Sequence, residues 1–167
     1  TKDDLVICLI SGGASALLSL PAAGITATDK QNITRELLKS GATIHEMNSV
    51  RKHLSAIKGG RLAKVIAPAK ILTLCISDVP GDKLDVIGSG PTVGDSTYYH
   101  DALQVLKKYD IQPSTSILNH LINSIDETPK PNDKIFSNCQ NILIATPQMA
   151  LESASKVALS ASITPLI

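Results

Sequence analysis

The chain has 167 residues, 43% of them apolar, enough for one hydrophobic core and short for two. Its 16 basic and 15 acidic residues leave a formal charge of +1 without long single-sign runs, and one Phe, three Tyr and no Trp offer few stacking surfaces, so a nucleic acid partner is not expected. No stretch reaches the roughly 18 apolar residues of a membrane span, no basic segment leads an apolar one, and an odd number of cysteines suits a reducing compartment, so the expected location is the cytosol, or an organelle interior once a leader is removed.

In chain order, Asp4 to Ile10 is a continuous apolar run, as expected of a strand buried on both faces of a parallel sheet. It ends at Ser11-Gly12-Gly13. Thr28 with Gln31, and Thr43 with Glu46, have capping-box spacing and open two helices separated by Gly41. Lys70 to Ile76 is the second strand, and Ser77 to Asp82 is the turn beyond it. Helices are expected near Thr97 to Tyr109 and Pro113 to Ser124, followed by a polar, turn-rich surface loop from Asp126 to Asn138. Asn141 to Ala145 is the third strand, and Pro147 at a first helical position opens a helix to about Ser160. Ile163 to Ile167 looks like a further strand.

Strands alternating with helices predict an α/β fold: one Rossmann-like layered domain over residues 1–167, with a mostly parallel sheet and helices on both faces. Such sheets bind ligands beyond the carboxyl ends of their strands, so the turns at Ser11, Ser77 and Thr146 should converge on one edge. The abrupt opening and the uncovered final strand lead us to expect a piece of something larger.

A strand entering a glycine pair and then a helix exposes backbone N–H groups that suit an anion, although a plain tight turn needs the same glycines. Neither Gly12-Gly13 nor Gly88-Ser89-Gly90 has the third glycine of a dinucleotide fingerprint, and no Walker loop occurs. Gly13 to Leu17 resembles a nucleophile elbow around Ser15, with Asp78 and His100 or His120 following in hydrolase order, but Leu17 stands where the last glycine belongs. Asp78 and Asp82 put carboxylates where magnesium bound to phosphates would sit, and capping of a turn is the commoner use of such residues. Ser89, Gly90, Thr92 and Asp95 add hydroxyls, flexible backbone and another acid. At helical spacing, Ile44, Met47, Val50 and Leu54 form an apolar stripe, with Asn48, Arg51 and Ser55 along its margin. Arg51 can grip an anion in fork geometry and Lys58, ahead of Gly59-Gly60, can bring a point charge; a solvated helix with an ordinary glycine cap explains the same letters. His45 and His53 are expected on the surface, since nothing around them has metal-site spacing.

The stretches ISGGASALLSLP, LLKSGATIHEMNSVRKHLSAIKGGRLA, ISDVPGDKLDVIGSGPT and DALQVLKKYD, in this order, resemble the N-terminal domain of the D-glycerate 2-kinase family, whose members also carry a C-terminal MOFRL domain. The resemblance covers nearly the whole chain and is densest from Leu9 to Tyr109. It implies transfer of the γ-phosphoryl group of ATP, with Mg2+, to the 2-hydroxyl of D-glycerate, in a cleft between a Rossmann-like domain and the MOFRL domain. It also implies that preceding residues and the MOFRL domain lie outside this chain. Hydroxypyruvate reductase, a label some relatives carry, is disfavoured by the missing dinucleotide fingerprint. On the matching motifs, Lys58, Arg51 and Asp78 are the expected catalytic residues, and Ser11, Gly12, Gly13, Ser15, Asn48, Ser89, Gly90 and Thr92 the expected substrate and phosphate contacts. Asp78, Asp82 and Asp95 are the expected metal carboxylates. An anion-binding piece without turnover, and a hydrolase built on Ser15, are the competing readings.

Overall fold

Three parallel strands meet in the order β1-β2-β3 in the computed structural model, which describes residues 1–167: β1 Leu5–Ile10, β2 Lys70–Ile76 and β3 Cys139–Ala145. Ile10 pairs with Cys75 and Ile76 with Ala145, so all three carboxyl ends lie on one edge, as the alternation of elements predicts. The helices are α1 Ala14–Leu17, α2 Ala27–Lys39, α3 Ile44–His53, α4 Arg61–Ile66, α5 Tyr99–Lys108, α6 Thr115–Asn123 and α7 Pro147–Ser160, with short 3-10 turns at Ile87–Ser89 and Lys134–Asn138. No helix is long and apolar enough to cross a membrane.

The helix starts follow from local chemistry. Thr43 caps α3 in the expected box with Glu46. The box that opens α2 is Thr26 with Asp29, not Thr28 with Gln31: the Thr26 hydroxyl accepts from the Asp29 N–H, and the Asp29 carboxylate accepts from the Thr26 N–H. An ionised carboxylate near the positive end of the helix outcompetes a glutamine two residues later. Thr146 caps α7, with Pro147 at its first position as expected.

The main core is helical. Ile33 and Leu37 of α2, Val50 of α3, Ala102 and Leu106 of α5 and Ile117 and Leu121 of α6 are buried together, while Ile10, Cys75 and Ile87 form a small second cluster at the strand ends. The continuous apolar runs predict strands covered on both faces, and here the structure corrects the expectation. Ile71, Thr73 and Cys75 of β2 are buried, whereas Leu5, Ile7 and Leu9 of β1 and Ile142 and Ile144 of β3 are exposed, so the second face of the sheet is bare. Residues 163–167 form no strand.

The loop from residue 126 to 133 is also more than surface. Thr128 is 1% exposed, and the carbonyl of Pro129 accepts from the Asp95 N–H. His53, expected outside, is wholly buried: its Nε2 lies 2.8 Å from Glu127 Oε1 and its Nδ1 2.7 Å from the Ser49 carbonyl. These two residues are far apart in sequence, so no local pattern links them.

Candidate functional site

The carboxyl edge of β1 and β2 brings the two expected turns together. Gly12 lies so close to Asp78 that a Cβ on it would come within 2.8 Å of Asp78 Oδ2. A Cβ on Gly88 would touch Ala14 and Ile10, which sets the Ile87–Ser89 turn against the same place. Ser11, Gly12 and Gly13 are exposed, and the N–H groups of Gly12, Gly13 and Ser15 find no acceptor in the protein. Gly13 takes φ of 82°, which only glycine adopts freely, and turns the chain into α1. That helix is a single turn, so its dipole adds little; what remains is a row of free backbone donors beside a carboxylate.

Behind this edge, α1, α2 and α3 enclose a cavity of about 490 Å³. Arg51 donates from Nη2 to the Ser15 carbonyl, and the Lys58 ammonium donates to Ser15 O at 2.9 Å and Gly88 O at 3.2 Å. Lys58 is 1% exposed. Lys30 of α2 enters from the far side and donates to the Ser19 carbonyl at 3.1 Å. Burial, then Arg51 and Lys30, push the Lys58 ammonium down to about 7; burial, then Arg51, bring Lys30 to about 8. Burial also lowers Arg51. Sequence reasoning missed Lys30 and Arg35. The signal was present: Lys30, Gln31, Thr34, Arg35 and Leu38 recur at three- and four-residue spacing and line the cavity, while Ile33 and Leu37 face the core.

The other expected residues serve different ends. Asn48 and Ser89 are buried and bonded to each other, Ser89 Oγ donating to Asn48 Oδ1 at 3.2 Å, and Asn48 Nδ2 has no partner. Thr92 is buried between Thr73 and Asn141, donating to Asn141 Oδ1 at 2.7 Å, so it supports the sheet from within rather than forming a floor that a ligand touches. Gly90, at φ of 60°, packs against the Asp85 backbone and closes the turn.

Asp95 is corrected as a metal ligand. It is fully buried and pairs with Lys52 Nζ at 3.2 Å, while accepting from the Thr97 N–H and hydroxyl and from Thr128 Oγ1. Burial pushes its carboxyl up, but Lys52 and the Thr97 donors outweigh that and hold it below its usual value. A carboxylate so occupied has no oxygen to offer an ion. Asp78 is exposed and Asp82 half-buried with Oδ1 unpartnered, and the chain has no group of three His, Cys, Asp or Glu residues able to hold a metal. The hydrolase reading also fails on geometry. His100 Nε2 bonds to Gln104, His120 bonds to the His53 carbonyl and to Ser124, and Ser15 has no histidine partner.

The contact between Gly12 and Asp78 predicts that a methyl group here costs little. Gly12→Ala meets only the tip of an exposed side chain, so the carboxylate swings away while the fold keeps its stability to within about 1 kcal/mol. Thermal melting of the variant beside the parent chain checks this.

Residues 1–122 match the family described as a domain of unknown function (DUF4147). The chain is 50% identical over 165 residues to an Agrobacterium vitis protein provisionally named a hydroxypyruvate reductase, covering 99% of this chain and 37% of that protein. It is 46% identical over 157 residues to the D-glycerate 2-kinase of Thermotoga maritima, covering 94% of this chain and 36% of that enzyme. The crystal structure of a glycerate kinase from Thermotoga maritima superposes with a TM-score of 0.85 at 45% identity, over 96% of this chain and 37% of that one. The chain thus spans little more than a third of the length of these relatives.

Proposed function

This chain belongs to the DUF4147 family, and from that premise we propose that the whole protein transfers the terminal phosphoryl group of ATP to the 2-hydroxyl of D-glycerate, giving 2-phosphoglycerate and ADP. The observation that carries the reading is the cavity ringed by Lys30, Arg51 and Lys58, none paired with a carboxylate, next to free Gly12 and Gly13 donors. Phosphoryl transfer needs charge neutralisation and alignment more than covalent help from the protein. Lys58 and Arg51 neutralise charge, and the Gly12, Gly13 and Ser15 N–H groups hold an anionic oxygen. Asp78 accepts the hydrogen bond of the attacking hydroxyl and takes its proton as the new O–P bond forms and the bond to ADP breaks.

Magnesium enters with the nucleotide as part of the substrate. Mg2+ keeps several waters and takes one or two carboxylates besides phosphates, so Asp78 fits it where a resident site of three ligands is lacking. In this reading a MOFRL domain closes the cleft, and the enzyme works in the cytosol. The reductase name of the Agrobacterium vitis relatives finds no counterpart in a glycine fingerprint here.

The test is direct. The full-length protein with ATP, Mg2+ and D-glycerate is expected to form 2-phosphoglycerate, read by phosphorus NMR against the 3-phosphate isomer. Reduction of hydroxypyruvate by NADH without any phosphorylated product would overturn the assignment.

A further inference from the structure

Buried cations elsewhere in this protein are matched by acids. Lys52 pairs with Asp95, and Arg61 with Asp126 at 2.7 Å. Lys58, 1% exposed, breaks that pattern: it shares the cavity beside α1, α2 and α3 with half-buried Lys30 and Arg51 and with Arg35 at the exposed rim, and none of the four lies within ion-pair distance of an Asp or Glu. Their partners are uncharged, namely the carbonyls of Ser15, Ser19, Leu20 and Gly88 and the Asn32 amide oxygen. Carbonyls use up individual N–H groups but leave the net charge standing, and for buried Lys58 an uncompensated charge is costly. Arg51 still has most of its five donors free, and each lysine has at least one.

A carboxylate brings a single negative charge and two oxygens, which leaves most of this ring uncompensated. A terminal phosphate brings two charges and three acceptor oxygens, matching both the excess charge and the spare donors. We propose that the cavity binds a terminal phosphate group as a dianion, with Lys30 and Arg35 of α2 joining Arg51 and Lys58 as its ligands. The inference rests on the kinase reading only for what carries the phosphate, ATP or 2-phosphoglycerate.

A further consequence can be measured. The charged groups acting on Lys58 are Arg51 from α3 and Lys30 from α2, with Arg35 further out on the cavity rim; α1 and the residues after it present only Ser15, Ala16 and Ser19, and the Ile87–Ser89 turn presents the Gly88 carbonyl. Burial, then these neighbouring cations, bring Lys58 to about 7 and Lys30 to about 8. A bound dianion reverses that field and both ammonium groups recover their protons. Binding at pH 8 therefore takes up between one and two protons, and affinity weakens as pH rises from about 7 to 9.

Sulfate, a dianion throughout this range, is the probe, titrated calorimetrically into the full-length protein at pH 8 in two buffers of different ionisation enthalpy. Saturable binding, uptake of between one and two protons, at least tenfold weaker binding at pH 9 than at 6.5, and a fivefold or greater loss in Lys30→Met and in Arg35→Met are expected. Lys30→Arg should retain binding, and circular dichroism confirms that each variant is folded. Competition identifies the bearer: ATP displacing sulfate assigns the nucleotide, and 2-phosphoglycerate displacing it assigns the product. Displacement by D-glycerate, absence of sulfate binding, or binding indifferent to Lys30 and Arg35 overturns the proposal. Turnover with no sulfate in the cavity sinks this inference and leaves the kinase reading intact; sulfate bound without turnover does the reverse.

Discussion

Lys58→Met in the full-length protein is expected, on the kinase function proposed above, to lower kcat/KM for ATP and D-glycerate by about a hundred- to a thousandfold, the usual loss when a preorganised cation or donor is taken from developing charge. Methionine keeps the volume of a side chain that is 1% exposed, and Arg51 still serves the Ser15 carbonyl, so the fold survives the exchange. A second readout separates charge from shape. In the folded protein Lys58 holds its proton only up to about 7, against an ordinary value of 10.5 in the unfolded chain. Between those values the unfolded chain binds more protons, so this residue makes stability climb as pH rises from about 7 to 10.5, and the climb flattens in the methionine variant. Thermal melts at pH 7 and pH 10 measure it. Unchanged kcat/KM would remove Lys58 from the machinery.

Gly94→Ala should be the most disruptive single-methyl change in the chain, costing about 3 kcal/mol or more and lowering Tm by roughly 10 °C. A Cβ at this position would come within 2.5 Å of Pro131 Cα and 2.6 Å of Pro131 N, backbone atoms with no rotamer to swing aside. Relief requires the 128–131 segment to lift, which strips the Asp95 N–H of the Pro129 carbonyl and Asp95 Oδ2 of the Thr128 hydroxyl. Lys52 is then left facing a carboxylate that has lost part of its shell. Gly24→Ala is the control: it has φ of 79° but no atom within 4 Å of a new Cβ, so it loses only about 1 kcal/mol. Equal melting temperatures for the two variants would contradict the packing described here.

The sequence was most informative where the signal is local. Apolar runs ending in Ser11-Gly12-Gly13 and Ser77-Asp78 announced parallel strands with polar turns on one edge, and that edge exists. Arg51 and Lys58 stood out by residue type and converge on one carbonyl. What escaped is non-local. Asp95 read as a free acid because nothing near it in sequence reveals Lys52, 43 residues earlier. His53 read as a surface residue because its partner Glu127 lies 74 residues on. Lys30 and Arg35 were passed over because a polar helical stripe facing a cavity is spaced like one facing water.

The uncovered side of the sheet governs how this polypeptide behaves in a test tube. Leu5, Ile7 and Leu9, each more than half exposed, share one oily face with Ile142 and Ile144 across the middle strand, and both outer strands offer unpaired amides along their rims. Molecules of the isolated chain will stick to one another as concentration rises, and sulfate precipitants, which sharpen the aversion of water for such planes, will hasten it. Dilute handling without strongly salting-out anions is the regime in which the isolated 167-residue chain stays dispersed.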